Sequence, residues 1–205
     1  MGNGNKVEFL VAICALIASA MAVFMAWDQG RVMRAQQHGA VFPVLQVDGY
    51  VSSRGDTTAV GIEIRNSGVG PALIESAEFF VGDDSTEPFH SEVMSLPDGF
   101  ELSWTAIVGR ALAPGDTVNP IDMVWPEGVL GTEDRQNISE GSQEWRLEIC
   151  YCSVFDRCWK TQKIGRSRAI PVEACERQET DIFEQFGLEY LASDQESLPV
   201  QEASE

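Results

Sequence analysis

QEWRLEICYCSVFDRCWKTQKI, residues 143–164, is the stretch whose pattern decides the fold. Trp145, Leu147, Ile149 and Tyr151 fall on one face of an extended chain, and Arg146, Glu148, Cys150 and Cys152 on the other, because side chains in a strand alternate with period 2. Phe155-Asp156 reads as the turn, and Cys158, Trp159 and Lys160 as the returning strand. The stretch is a β-hairpin with one apolar face.

The same period recurs upstream. Val44 to Gly49 alternates, with Pro43 in a strand's first position. Thr58 to Arg65 sets Val60, Ile62 and Ile64 against Glu63 and Arg65, and Leu73–Val81, Phe100–Val108 and Thr117–Trp125 read as further strands. About seven short strands separated by frequent turn signals predict a mainly β domain, an antiparallel sandwich over residues 42–175. Gly82–Asp98 is polar and turn-rich, with a helical turn expected at Ser91–Leu96, and Glu127–Gly141 reads as a loop carrying the acidic pair Glu133 and Asp134. Between two strands lies NSGVGPA, Asn66 to Ala72. There Gly68 and Gly70 are expected to supply positive φ, Asn66 to bond local backbone and Pro71 to fix the outgoing chain, as a structural corner.

The amino-terminal end has a different character. Val7–Trp27 is apolar except for Glu8 in its first turn. As a helix it is about 31 Å long, against a hydrocarbon core of about 30 Å. A cleaved signal peptide would use Lys6 and the small residues Ala18-Ser19-Ala20, but apolar sequence continues from Met21 to Trp27. Acylation at Cys14 lacks the small preceding residue, since Ile13 stands there, and myristoylation lacks Ser or Thr at position 6. A transmembrane helix over 7–27 is therefore expected, after a short tail of residues 1–6 and before a helical linker over 28–41 in which Gly30 weakens the helix and Gly39 stops it. Ala18, Ala22 and Ala26 form a small-residue face suited to pairing two such helices as a homodimer.

With 32 acidic and 14 basic residues, the net charge of −18 argues against nucleic acid and anionic lipid as partners. Residues 176–205 form an acidic tail, with a short amphipathic segment at Asp181–Leu191 and disorder expected beyond Ala192. His38 and His90 fall in expected loops, and no nucleophile-elbow, zincin or phosphate-loop motif is present, so the chain reads as non-enzymatic and needs no cofactor. Arg54-Gly55-Asp56 sits in a turn but carries almost no specificity by itself, and Asn137-Ile138-Ser139 is a glycosylation sequon in form only.

The apolar helix, Pro43-Val44-Leu45, the Asn66–Ala72 corner, the Leu112-Ala113-Pro114-Gly115-Asp116 turn and the Tyr151–Thr161 hairpin together resemble a diffuse group of small single-pass bacterial membrane proteins of unknown function. The resemblance covers residues 40–165 in outline. It implies an immunoglobulin-like β-sandwich and supplies no catalytic residues.

The cysteines depart from that group's usual pattern. Cys14 belongs to the apolar helix, and the others follow C-x-C-x5-C-x16-C as Cys150, Cys152, Cys158 and Cys175. Across the hairpin, Cys152 and Cys158 are placed for a disulfide, and Cys150 then has Cys175 as partner, although four cysteines allow three connectivities. A thiolate metal site is the sharper alternative, but an initial C-x-C is atypical of zinc ribbons. Two functional expectations follow. One is a membrane-anchored binding or scaffolding module with an unknown protein partner. The other is a thiol-based metal or redox carrier or sensor using these four cysteines. Arg31 and Arg34, offset by Asp28, pull the domain toward the cytoplasm by a literal positive-inside count. Clustered cysteines pull it toward an oxidising compartment. The balance favours the inner membrane, a single pass and a periplasmic domain.

Overall fold

The computed structural model describes residues 4–55, 57–81, 89, 93, 95–141, 145–161, 164–165 and 168–197. His90 and Asp56 lie outside the described residues, as does half of the expected turn at Ser91–Leu96. The chain divides into two compact units, Met1–Ala40 and Val41–Glu205.

The first unit is helix α1, Gly4–Ala40, 37 residues without a break. Gly30 does not interrupt it, since one interior glycine costs a helix only about 1 kcal/mol. Its most apolar 18-residue window has a mean hydropathy of 2.6, and none of that window is buried. Phe9, Leu16, Val23 and Phe24 are more than half exposed. A helix of this length and character fits a signal anchor or a signal sequence.

The second unit contains, in chain order, β1 (Leu45–Arg54), β2 (Thr57–Asn66), β3 (Ala72–Val81), β4 (Glu101–Trp104), β5 (Ala111–Leu112), β6 (Thr117–Trp125), helix α2 (Thr132–Gly141), β7 (Trp145–Cys152), β8 (Cys158–Lys160), β9 (Ile170–Val172) and helix α3 (Ile182–Ser197). Two antiparallel sheets result, one ordered β1-β2-β6-β4 and the other β5-β3-β7-β8-β9. Their apolar faces share one core: Leu45, Val47, Val60, Ile62 and Ile64 come from the first sheet, and Ile74, Ala77, Leu147, Ile149 and Tyr151 from the second. Hydrogen bonds also cross the layers: the Leu45 amide donates to the buried Tyr151 hydroxyl at 3.4 Å, and the Asn66 side chain to the Leu112 carbonyl at 2.9 Å. The architecture is sandwich-like, and with three helices among the described residues the chain is mixed α/β rather than simply mainly β.

Three departures from the sequence reading have physical causes. The expected loop at Glu127–Gly141 contains α2, a polar helix with only Ile138 buried. Its start is fixed by the Gly131 amide donating to the Asp134 carboxylate at 3.0 Å, a capping contact that needs no apolar periodicity. The strand expected over Phe100–Val108 ends at Trp104, because the amides of Ile107 and Val108 are taken by Asp181, 2.7 Å from each. The acidic segment after residue 175 is not a free tail. Helix α3 begins at Ile182 and buries Phe183 and Phe186 against Phe89 in edge-to-face contacts. The two rings at i and i+3 share one helix face, and Gly187 lies under the Trp104 indole, where a Cβ would collide with the ring. The amphipathic stretch thus becomes part of the core.

Candidate functional site

Two constructions organise the domain, and both are anchored by residues singled out in the sequence. The first is the Asn66–Ala72 corner. Asn66 is fully buried, and its side chain uses all of its bonding capacity. Its Nδ2 donates to the carbonyls of Gly70 (2.8 Å) and Leu112 (2.9 Å), while its Oδ1 accepts from the amides of Gly68 (2.9 Å) and Val44 (3.3 Å). Gly68 and Gly70 are needed for a different reason than positive φ, which neither adopts. A Cβ on Gly68 would overlap the Phe42 carbonyl, and one on Gly70 the Val41 carbonyl. The amides of Ser67 and Val69 donate to the carbonyls of Val44 and Phe42 at 2.8 and 2.9 Å. The corner is therefore a close backbone-to-backbone seam between the domain's first residues and the β2–β3 connection, with Pro71 leading into β3.

The second construction lies on the outer face of the β5-β3-β7-β8-β9 sheet. Cys150 and Cys152 share that face of β7, and Cys152 stands directly opposite Cys158 of β8. The hairpin between them closes at Ser153–Arg157, with Asp156 at φ 55°, a conformation an aspartate tolerates. Cys152 is bridged to Cys158 and Cys150 to Cys175, with Cα separations of 4.0 and 5.6 Å. Cys14 of α1 is free and exposed. The sulfurs of Cys152, Cys158 and Cys175 lie within 4.8 Å of one another.

Cys175 reaches this face because residues 175–178 cross it as a strap, and the β3 ladder is built to receive them. The register of β3 on β7 slips between Ile74 and Ser76, leaving Glu75 as an extra residue. The Glu75 carbonyl accepts from the Gln178 amide at 3.0 Å, and the Gln178 Oε1 accepts from the Ala77 amide at 2.9 Å. The Arg177 guanidinium meets the Glu75 carboxylate in a two-point contact at 2.6 and 3.1 Å. Beside it, Lys160 bonds Glu148 at 2.8 Å, and that hydrogen bond raises the lysine pKa despite its partial burial. Downstream, Asp181 is 3% exposed and accepts four amides. Its Oδ1 caps α3 through Phe183 (2.8 Å) and Glu184 (3.2 Å), and its Oδ2 holds Ile107 and Val108. The signal for Asp181 was Asp-x-x-Glu, residues 181–184, directly ahead of an apolar run. Nothing in the local pattern announced Glu75, Arg177 or Gln178.

The stapled strap yields a ranked expectation. Loop-entropy arithmetic for sequence separations of 25 and 6 residues assigns about 3.5 kcal/mol to Cys150–Cys175 and about 2.2 kcal/mol to Cys152–Cys158. Paired Cys→Ser variants followed by urea unfolding check this order. The Cys150/Cys175 pair is expected to lower the midpoint more, and the reverse order would contradict the strap's role.

The opposite sheet presents an open outer face. Tyr50, Gly61, Asp122 and Ser103 stand side by side across β1, β2, β6 and β4. The Tyr50 ring lies over Gly61, where a Cβ would collide with the phenol. Its hydroxyl donates to Asp122 at 2.8 Å and accepts from Asn119 at 3.3 Å. Partial burial, reinforced by the Asp122 bond, pushes the Tyr50 pKa up to about 12. A folded value above the unfolded one means that the neutral phenol favours the fold. That contribution is complete below about pH 10, the ordinary tyrosine value, and is lost as pH rises through the folded pKa. Phenolate absorbance of the folded chain and of Tyr50→Phe tests this. The difference should titrate near pH 12, and a difference titrating at the ordinary tyrosine value would contradict the Tyr50–Asp122 contact.

Of the other residues noted in the sequence, Gly55 sits at the β1–β2 tip with φ 64°, and Asn137 is exposed on α2. Ala18, Ala22 and Ala26 are exposed on α1. No family model matches the chain, and no curated protein and no solved structure matches it either.

Proposed function

We propose that this chain is a single-pass, non-enzymatic binding or scaffolding module, held in the inner membrane by α1 as a signal anchor, with its sandwich on the periplasmic side. The observation that carries the reading is the pair of disulfides in a domain that follows an exposed apolar helix, because such bridges persist in oxidising compartments. The strand order supports an immunoglobulin-like assignment and the resemblance to small single-pass bacterial membrane proteins. Leaving aside the short β5 and β9, strands one, two, five and four form one sheet and three, six and seven the other, the constant-type immunoglobulin arrangement. Both bridges lie on one sheet's outer face rather than between the sheets, so the staple is this chain's own.

The contact surface assigned here is the outer face carrying Tyr50, Asp122 and Ser103, since the strap occupies part of the other sheet's outer face. Ala18, Ala22 and Ala26 offer a close-packing face for a second copy of α1. Protease added to cells with a permeabilised outer envelope is expected to digest the domain back to the α1 fragment, and a protected domain would overturn the periplasmic placement. A photo-crosslinker at Ser103 is expected to give a discrete adduct in cells, and one at Glu78, on the strapped sheet, none. Equal yields from the two positions would overturn the choice of surface.

A further inference from the structure

We propose that Cys150, Cys152, Cys158 and Cys175, when reduced, form a tetrathiolate site for one zinc ion. Three of the four sulfurs already occupy one cluster, and the fourth is bonded to one of the three. Those of Cys152, Cys158 and Cys175 lie within 4.8 Å of one another, and that of Cys150 is bonded to that of Cys175. A tetrahedral zinc ion with Zn–S bonds near 2.3 Å sets its sulfurs about 3.8 Å apart. Bonded sulfurs must open to that spacing, those of Cys152, Cys158 and Cys175 close by at most roughly 1 Å, and that of Cys150, which lies outside their 4.8 Å group, must swing inward as its bond to Cys175 opens. The C-x-C spacing, awkward for a ribbon knuckle, is natural on a strand, where residues i and i+2 point the same way without a turn.

Reduction does not release the fourth ligand. Cys175 is held over β7 by the Gln178–Glu75 and Gln178–Ala77 hydrogen bonds and the Arg177–Glu75 contact, none of which involves sulfur. Cys150, Cys152 and Cys158 are 1, 8 and 7% exposed and Cys175 is half-buried, so water reaches the site mainly from the strap side. Lys160, bonded to Glu148, stands opposite Cys150 in the ladder, and Arg177, bonded to Glu75, follows Cys175 by two residues; the site itself would carry a net charge of about −2.

The chemistry balances with a dithiol donor protein as reductant. Each bridge takes two electrons and two protons from one donor dithiol, which leaves as its disulfide. Zinc then binds the four thiols as thiolates and releases their four protons. Exchange with two equivalents of the donor in its disulfide form reverses this, each donor disulfide taking two electrons as one bridge closes and the ion is expelled, so one cluster serves as a staple in one redox state and a metal site in the other.

The test uses the full chain in detergent, with Cys14→Ser to remove the only other thiol. After reduction by a phosphine, cobalt(II) is titrated and then displaced by zinc. The expected result is one equivalent of cobalt with the ligand-field and charge-transfer bands of a tetrahedral tetrathiolate, and no such bands before reduction. Cys150→Ser and Cys175→Ser should each remove about a quarter of the charge-transfer intensity, in proportion to thiolate count. Circular dichroism follows the fold in parallel. A reduced, folded chain that binds no cobalt, or binds it with an octahedral spectrum, overturns the proposal. So does a reduced chain that unfolds and is not refolded by zinc.

Discussion

Asp181→Ala is expected to lower the unfolding free energy of the domain by about 4 kcal/mol. Loss of the α3 cap contributes about 1–2 kcal/mol. Each stranded amide of Ile107 and Val108 adds about 1–3 kcal/mol, toward the lower end for the half-buried Val108, because the carboxylate that serves them is nearly fully buried. The substitution also loosens the seat of Phe183 and Phe186, so it couples the strap, the end of β4 and the aromatic core. Urea unfolding of the detergent-solubilised chain measures the loss. Glu184→Ala, exposed in the first turn of the same helix, serves as control and should change stability by less than about 0.5 kcal/mol. A loss of only about 1–2 kcal/mol at Asp181 would show that it does no more than cap, and equal effects at the two positions would contradict both of its roles.

Asn66→Ala is expected to cost about as much, roughly 3–5 kcal/mol, by stranding two buried carbonyls and two amides at the corner. Asn66→Asp separates donor from acceptor effects. It keeps the oxygen that receives Gly68 and Val44 but sets a second carboxylate oxygen against the carbonyls of Gly70 and Leu112. It should therefore destabilise nearly as much as alanine despite its almost unchanged shape, and a near-neutral Asn66→Asp would contradict the hydrogen-bond assignment. Equilibrium unfolding at neutral pH decides, where the introduced carboxylate must either charge or shift its pKa.

What the sequence revealed of this fold follows the range of each signal. β7 and β6 were legible because alternation is local, and Thr117–Trp125 appears with the bounds its pattern gave. The corner was legible as a corner, but its glycines were assigned the wrong reason. The backbone they must clear, Val41 to Val44, lies more than twenty residues away, and no local pattern encodes that approach. Helix α2 escaped notice because a polar helix with one buried side chain has no apolar stripe to read. The amphipathic segment of α3 was legible at Asp181–Leu191, but the strap and the burial of α3 in the core were not, because acidic composition argued for a tail. Two phenylalanines at helical spacing behind a capping aspartate outweighed that composition, since their burial on Phe89 provides the core contact that the charges could not deny. The cysteine partners depend on where residues 175–178 run, and only the Glu75 irregularity in β3 explains that path.

The most direct measurement of the central claim, a stapled sandwich in an oxidising compartment, is a thiol count on the full chain taken from cells. Thiols are trapped in acid, alkylated under denaturing conditions with and without reduction, and counted by intact mass. The chain has five cysteines. The account predicts one alkyl group without reduction, on Cys14, and five with it. Five without reduction would contradict the account and place the domain where thiols stay free.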